Sequence, residues 1–319
     1  MPPRSLRPLA ALVVLAPAAA MATTDRAAPL FTGPLVTPAV NTLPANTLNI
    51  EPYLIHTHVR GAYANDGGRH RHDITARQWM VALPMVYGVT DALDVQLTLN
   101  GSRTSRGGAH SDGLRMGDSV VRVLQRLAGP GPDGTDWVVG VAMAVRIPTG
   151  KYQRLDTNPF NGTGAGAMGL STTLGAQKLQ WLANGHALRW RGQLGWGDTP
   201  GRIGIHGAST YGTGPGFRGH ARPGPSWTAS LAAEYVLAAR WGLVGEAIWN
   251  RGGATTVHGA CGGAACSHTL RPTQQYSLAP AVAYHLGPTM GLIAGVQFSV
   301  AGRNAASYVA PQAAFNMVF

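Results

Sequence analysis

Through the body of the chain, apolar and polar positions alternate with a period of two, and helical spacing is nearly absent. In "ALDVQLTLN", Leu93, Val95, Leu97 and Leu99 share one face, and Asp94, Gln96, Thr98 and Asn100 share the other. "WVVGVAMAVRI" sets Trp137, Val139, Val141, Met143, Val145 and Ile147 against Gly140, Ala142, Ala144 and Arg146. "LRWRGQLGW" sets Leu188, Trp190, Leu194 and Trp196 against Arg189, Arg191 and Gln193. Each reads as a strand with one oily face and one face of small or polar groups.

About twelve such segments occur, beginning near 47, 74, 92, 117, 136, 165, 186, 226, 241, 273, 290 and 307. Each is long enough to cross a bilayer as a tilted strand, which takes about 9–11 residues. The connections sort by length. Short turns such as "YGVTDA" and "HLGPTM" alternate with long Gly-rich stretches at 61–73, 101–116, 149–164, 198–225 and 252–272, while the connection near 303–306 stays short. Short turns at one end and long loops at the other describe an outer-membrane barrel. A soluble sandwich has no need to sort its loops this way.

The aromatic residues sharpen this reading. Trp79 and Tyr87, Trp227 and Tyr235, Trp241 and Trp249, and Tyr276 and Tyr284 are each eight residues apart within one strand, which keeps both rings on one face. Eight residues rise ~26 Å, and a tilt of about 40° reduces this to roughly 20 Å along the barrel axis. That approaches the ~25 Å apolar band between two aromatic girdles. The expected fold is therefore all-β: a closed antiparallel transmembrane barrel of about 12 strands, residues 47–319. Closure is required because an open sheet edge in hydrocarbon leaves N–H and C=O groups unpaired at several kcal/mol each. The last strand should thus pair with the first, "TLNIEPYLIHTHVRG", whose poor alternation leaves its faces unassigned.

The start of the chain has the parts of a secretory signal: Arg4 and Arg7, an apolar run from Leu9 to Ala16, and small residues from Ala18 to Ala22. Residues 1–22 are expected to be a cleaved signal peptide and 23–46 a periplasmic segment before the barrel. Export to the outer membrane of a Gram-negative bacterium follows. Composition fits: 45% of residues are hydrophobic and only 12% charged, and Gly contributes 43 of 319. The net charge of +11 is carried almost wholly by scattered arginines that form no single basic stripe, so nucleic acid is not an expected partner. Cys261 and Cys266 in "CGGAAC" are expected to form a small disulfide loop in an oxidising compartment.

Several motifs resemble chemistry without its context. "GAGAMG" (164–169) fits a dinucleotide fingerprint in letters, but it follows a loop, opens no helix and lacks the acid about 20 residues on. "PTGKY" lacks both the upstream glycine and the Ser/Thr of a phosphate loop. His56 and His58 share a face, with His70 and His72 beyond, but no third ligand is evident. No catalytic residue, metal or cofactor is therefore expected. The lumen should be lined by the residues opposite the oily face: Asp94, Gln96, Arg122, Arg146, Arg189, Arg191, Gln193, Glu234, Glu246, Gln275 and His285. In a narrow barrel some of these charges should pair, Glu234 and Glu246 with nearby arginines among them. The tail "APQAAFNMVF" should turn Ala313, Phe315, Met317 and Phe319 to lipid and Gln312, Ala314 and Asn316 inward. Phe315, Met317 and Phe319 would then form a signal read by the barrel-assembly machinery.

The segments "LPMVYGVTDALDVQLTL" (83–99), "GDSVVRVLQRL" (117–127) and "VRIPTGKYQRLDTNPFNGTGAGAMGLSTTLGAQK" (145–178) resemble those of an outer-membrane family associated with the meta-pathway of phenol degradation. The resemblance covers the middle of the chain; the loop at 198–225 and the cysteine loop stand apart from it. It implies a transporter barrel for small aromatic or hydrophobic solutes and carries no site residues with it. The expected partners are thus outer-membrane lipid, the assembly machinery and a small-molecule solute. The other class kept open is a non-conducting structural or surface-display barrel with a plugged lumen.

Overall fold

The computed structural model describes residues 29–131 and 134–319. The expected signal peptide, 1–22, lies outside the described residues. Twelve strands form one closed antiparallel barrel. They are β1 (Leu48–Ile50 and Tyr53–Tyr63), β2 (Arg69–Thr90), β3 (Leu93–Arg106), β4 (Ser119–Ala128), β5 (Val138–Ile147) and β6 (Gly169–Trp181). There follow β7 (Ala187–Asp198), β8 (Ser226–Ala238), β9 (Trp241–Gly252), β10 (Thr273–Leu278 and Ala281–His285), β11 (Met290–Arg303) and β12 (Ala305–Val318). Each strand pairs with the next, and β12 pairs with both β11 and β1. The seam runs through the chain's final residues. Asn49 and Ile50 register with Val318 and Met317, and Leu48 and Phe319 exchange backbone hydrogen bonds. No backbone edge is left for hydrocarbon to strand. No helix of the described residues is long and apolar enough to cross a membrane.

The alternation of apolar and small residues becomes the two faces of the wall. On β3, Val95 and Leu97 are exposed on the outside while Asp94 is 3% exposed and points in. The girdles are visible as registered pairs: Trp196 with Trp227 and Trp249 with Tyr276 toward the long loops, Trp241 with Tyr284 toward the short turns. The Trp241 and Tyr284 rings lie 4.6 Å apart. An apolar outer face between aromatic belts, on strands that close on themselves, places the protein in the outer membrane, with the long loops extracellular.

β1 is the strand whose faces the sequence leaves open, and Pro52 explains why. It breaks the strand between Ile50 and Tyr53; Phe315 N–H donates to the Pro52 carbonyl and Glu51 N–H to that of Pro84, so the wall stays continuous. After the break, Leu54, His56 and His58 face out, opposite Val81, Trp79 and Arg77 of β2. Tyr53 faces in, its ring packed against the apolar cluster around Leu35 and its hydroxyl bonded to Glu51.

Two features go beyond the alternating pattern. The loops at 198–225 and 252–272 build a second, five-stranded sheet with its own core of Ile203, Ile205, Tyr211, Phe217, Ala221 and Val257, packed against Tyr152 and Ala167 of the loop between β5 and β6. Cys261 and Cys266 are joined by a disulfide that closes the tip of this sheet. The other feature concerns the segment expected to be periplasmic. Of its described part, residues 29–43 lie inside the barrel and 44–46 lie exposed at its rim beside Tyr87 and Gly88. With prolines at 29, 34, 38 and 44 it forms no strand, so its N–H and C=O groups remain free for side chains that point inward.

Candidate functional site: the occupied lumen

The segment rises from the periplasmic end, crosses the lumen near Thr37 and Pro38, and returns to the same end, where Asn46 N–H bonds the Gly88 carbonyl. Inward charges from around the wall hold it by its backbone. Glu246 of β9 accepts from Val36 N–H at 3.1 Å and from Thr37 N–H at 2.7 Å. Asp94 of β3 accepts from Leu43 N–H at 3.1 Å through both oxygens. Arg191 of β7 donates to the carbonyls of Thr37 at 3.1 Å and Pro38 at 3.2 Å, and Gln193 also donates to Pro38. Arg122 of β4 donates to the Ala39 carbonyl at 3.0 Å. Carboxylates thus meet amides and guanidiniums meet carbonyls, which satisfies both partners.

The buried charges on the wall are balanced locally. Arg189 grips Glu234 through two parallel bonds of 2.8 and 2.7 Å, and its guanidinium lies 4.0 Å over the Phe31 ring. Arg191 stands 3.6 Å from the same carboxylate and donates to Gln177 at 3.3 Å. Glu234 is paired with arginines and also accepts from the Gly33 backbone N–H, whereas Glu246 serves only the segment. The fork on Glu234 is the bidentate geometry in which Arg outperforms Lys.

Apolar contacts complete the fit. Leu35 packs among Val244, Ala281, Ala283, Ile293 and Ala314, with Val36 and Tyr53 at the margin. Val40 is 1% exposed. Room for it comes from inward glycines: a Cβ on Gly175 would stand 2.7 Å from Val40 Cγ2, and one on Gly140 2.8 Å from its carbonyl oxygen. These glycines sit on the polar face in the period-two pattern, where a larger residue would meet the segment.

Of the remaining residues expected in the lumen, His285 bonds the Leu30 backbone of the segment, while Arg146, Gln96 and Gln275 lie away from it. Arg146 of β5 is in the extracellular half, 3.5 Å from Asp118 and 3.0 Å from Thr199 Oγ1, at the edge of a polar recess of about 150 Å³ that also includes Ser171 and Ser226. Asp118 in turn accepts from Gly150 and Ala165 N–H, fixing the loop between β5 and β6. Gln96 bonds Thr98 on its own strand, Gln275 bonds the Ala306 carbonyl, and His285 is buried near the point where the segment enters. Sequence reasoning missed the segment itself, Gln177 and the inward glycines. The one available signal was the apolar set Leu35, Val36 and Val40 in a proline-spaced stretch too short for a strand.

No curated protein sequence matches the chain. The fold is similar to that of the COG4313 outer membrane channel from Pseudomonas putida F1, with a TM-score of 0.62 and 19% identity over 89% of this chain and 100% of that one. The transport unit of the autotransporter AIDA-I from Escherichia coli aligns with a TM-score of 0.48 and 10% identity, over 89% of this chain and 94% of that one. A family model described as "Putative MetA-pathway of phenol degradation" matches residues 64–311, from the first extracellular loop into the last strand. With most of its barrel matched by that model, the chain belongs to this phenol-degradation family of outer-membrane barrels.

Proposed function

We propose that the protein is a gated channel that passes small aromatic or hydrophobic solutes into the periplasm, without covalent chemistry, and that residues 29–46 are its gate. The observation carrying this reading is how the segment is held. It is attached by hydrogen bonds and side-chain packing: Glu246, Asp94 and Arg122 direct their charge at its backbone, and Arg191 bonds it while also facing Glu234. A permanent filler would be served as well by apolar side chains from the strands, which fill small barrels without a separate segment. The solute class is supported by the family's association with phenol degradation and by the likeness to an outer-membrane channel.

Hydrogen bonds to charged groups contribute about 1.5–3 kcal/mol each. The bonds from Glu246 and Asp94 therefore hold the closed state firmly, and the resting channel should conduct rarely. A solute opens it only by binding the open state better than the closed one. The filled lumen also favours the second reading, a non-conducting barrel displaying its long loops. Planar bilayers separate the two. The full chain carrying Asp94→Asn and Glu246→Gln keeps the shapes but weakens the hold, so it should open far more often than the parent. If parent and variant both stay silent to ions and show no solute flux, the channel reading fails and the scaffold stands.

A further inference from the structure

The outer wall has a feature that transport does not use. At the extracellular girdle, Trp79 of β2 faces lipid at 48% exposure. Arg103 of β3 registers directly with Trp79, and Arg77 lies one outward-facing position above it. The two arginines are diagonal neighbours on one face, roughly 7–8 Å apart. His56 stacks on Trp79 with ring centroids 4.3 Å apart, and His58 registers with Arg77. Both arginines are exposed, and neither forms a hydrogen bond or ion pair with the described residues, whereas the arginines of the lumen are all engaged. His58 Nε2 is buried beside Arg77 without a hydrogen-bond partner. Two unneutralised cations held side by side on a sheet repel one another, and the arrangement persists at lower cost if an anion outside the chain sits between them.

Immediately below this pair, toward the membrane centre, the wall is indented. Gly101 is two residues from Arg103 and Val81 two from Trp79, a step of ~7 Å. From there an apolar groove of about 590 Å³ runs across the outer face, bounded by Leu54, Val81, Leu83, Leu99 and Phe315. Its upper rim is built from outside the barrel proper: Arg115 and Met116 of the loop after β3 pair with Ser102 and Gly101, which folds Leu114 and Met116 over the wall. The depression follows from small side chains at Gly101 and Ala313 and from the break at Pro52. Its volume falls in the ~300–1,000 Å³ of specific small-molecule sites.

A cationic pair at headgroup level, with a groove for hydrocarbon directly beneath, matches the two halves of one class of ligand. We propose that this face binds a phosphate-bearing, multiply acylated glycolipid of the outer leaflet. Arg77 and Arg103 would receive the phosphate through charge-assisted hydrogen bonds, and the groove would take an acyl chain. Arg suits the role because its planar fork matches phosphate oxygens.

The test uses the full-length protein in neutral detergent and native mass spectrometry with three probes: lipid A in bisphosphorylated form, the same lipid with its phosphates removed, and inorganic pyrophosphate. The parent should retain the bisphosphorylated lipid at least about tenfold better than the dephosphorylated form, the scale set by one or two charge-assisted bonds. R77Q/R103Q should lose that preference while keeping heat-modifiable migration, and Ala313→Leu, which fills the groove, should weaken binding of both lipids. Equal retention of the two lipids by the parent overturns the proposal and requires no variant. Displacement of the lipid by pyrophosphate at similar concentration would also overturn it, by showing a simple anion site.

Discussion

At the scale of single residues, Gly175 decides whether the gate can sit where it does. A side chain there must push Val40 or be pushed, since even a Cβ comes within 2.7 Å of Val40 Cγ2. Gly175→Val should therefore destabilise the closed state by about 1–3 kcal/mol, the usual cost of overpacking. The expected readout is increased channel opening with the barrel still folded. Glu234 illustrates a different dependence. It is 2% exposed and paired with both Arg189 and Arg191, so Glu234→Ala would leave these two cations facing each other without their direct partner. Breaking such a buried pair costs about 3–5 kcal/mol, read as an earlier unfolding midpoint in denaturant, while Glu234→Gln should lose less because it keeps an acceptor. In the extracellular loops, Asp112 accepts from Asn161 and Asn158 and then from Arg115, and these partners hold its pKa below the ordinary 3.8. With a depressed folded pKa, its contribution to loop order is complete above pH 3.8 and disappears as pH falls through the lower folded value. Hydrogen exchange of the loop amides should accelerate over that acid range in the parent, and Asp112→Asn should flatten the change.

At the scale of elements, the closing strand carries the clearest expectation. Directly after β12, Phe319 exchanges backbone hydrogen bonds with Leu48 and so helps to seal the barrel. Removing Phe319 should lower the yield of folded protein in the outer membrane, measured by heat-modifiable migration; undiminished assembly would show that Phe315, Met317 and Phe319 are ordinary wall residues. How far the elements could be read in advance depended on which solvent each face meets. Strands with lipid on one side and small polar groups on the other, such as β3 and β7, were legible from alternation alone. β1 was not, because Pro52 interrupts its phase, His56 and His58 face outward at the headgroup level, and Tyr53 faces an apolar gate. The extracellular sheet was also hidden: its strands are only two to seven residues long and lie within Gly-rich loops. Residues 29–46 left no periodic trace at all, since a segment held by its backbone needs no repeating side-chain pattern.

At the scale of the whole molecule, the barrel and its gate are one folding unit. The gate supplies the lumen with backbone donors and acceptors, and Glu246 and Asp94 of the lumen, which form no ion pair with the described residues, supply it with charge. If residues 29–46 are a gate, this closed arrangement is one of two states. A reversible lock tests it most directly: Val40→Cys with Gly175→Cys, two positions close enough to be bridged. In planar bilayers the oxidised double variant should be silent. Addition of a mild reductant should release events that the parent, treated identically as the control for Cys261–Cys266, shows only with solute. Equal conductance in the oxidised and reduced forms would contradict a gate at residues 29–46.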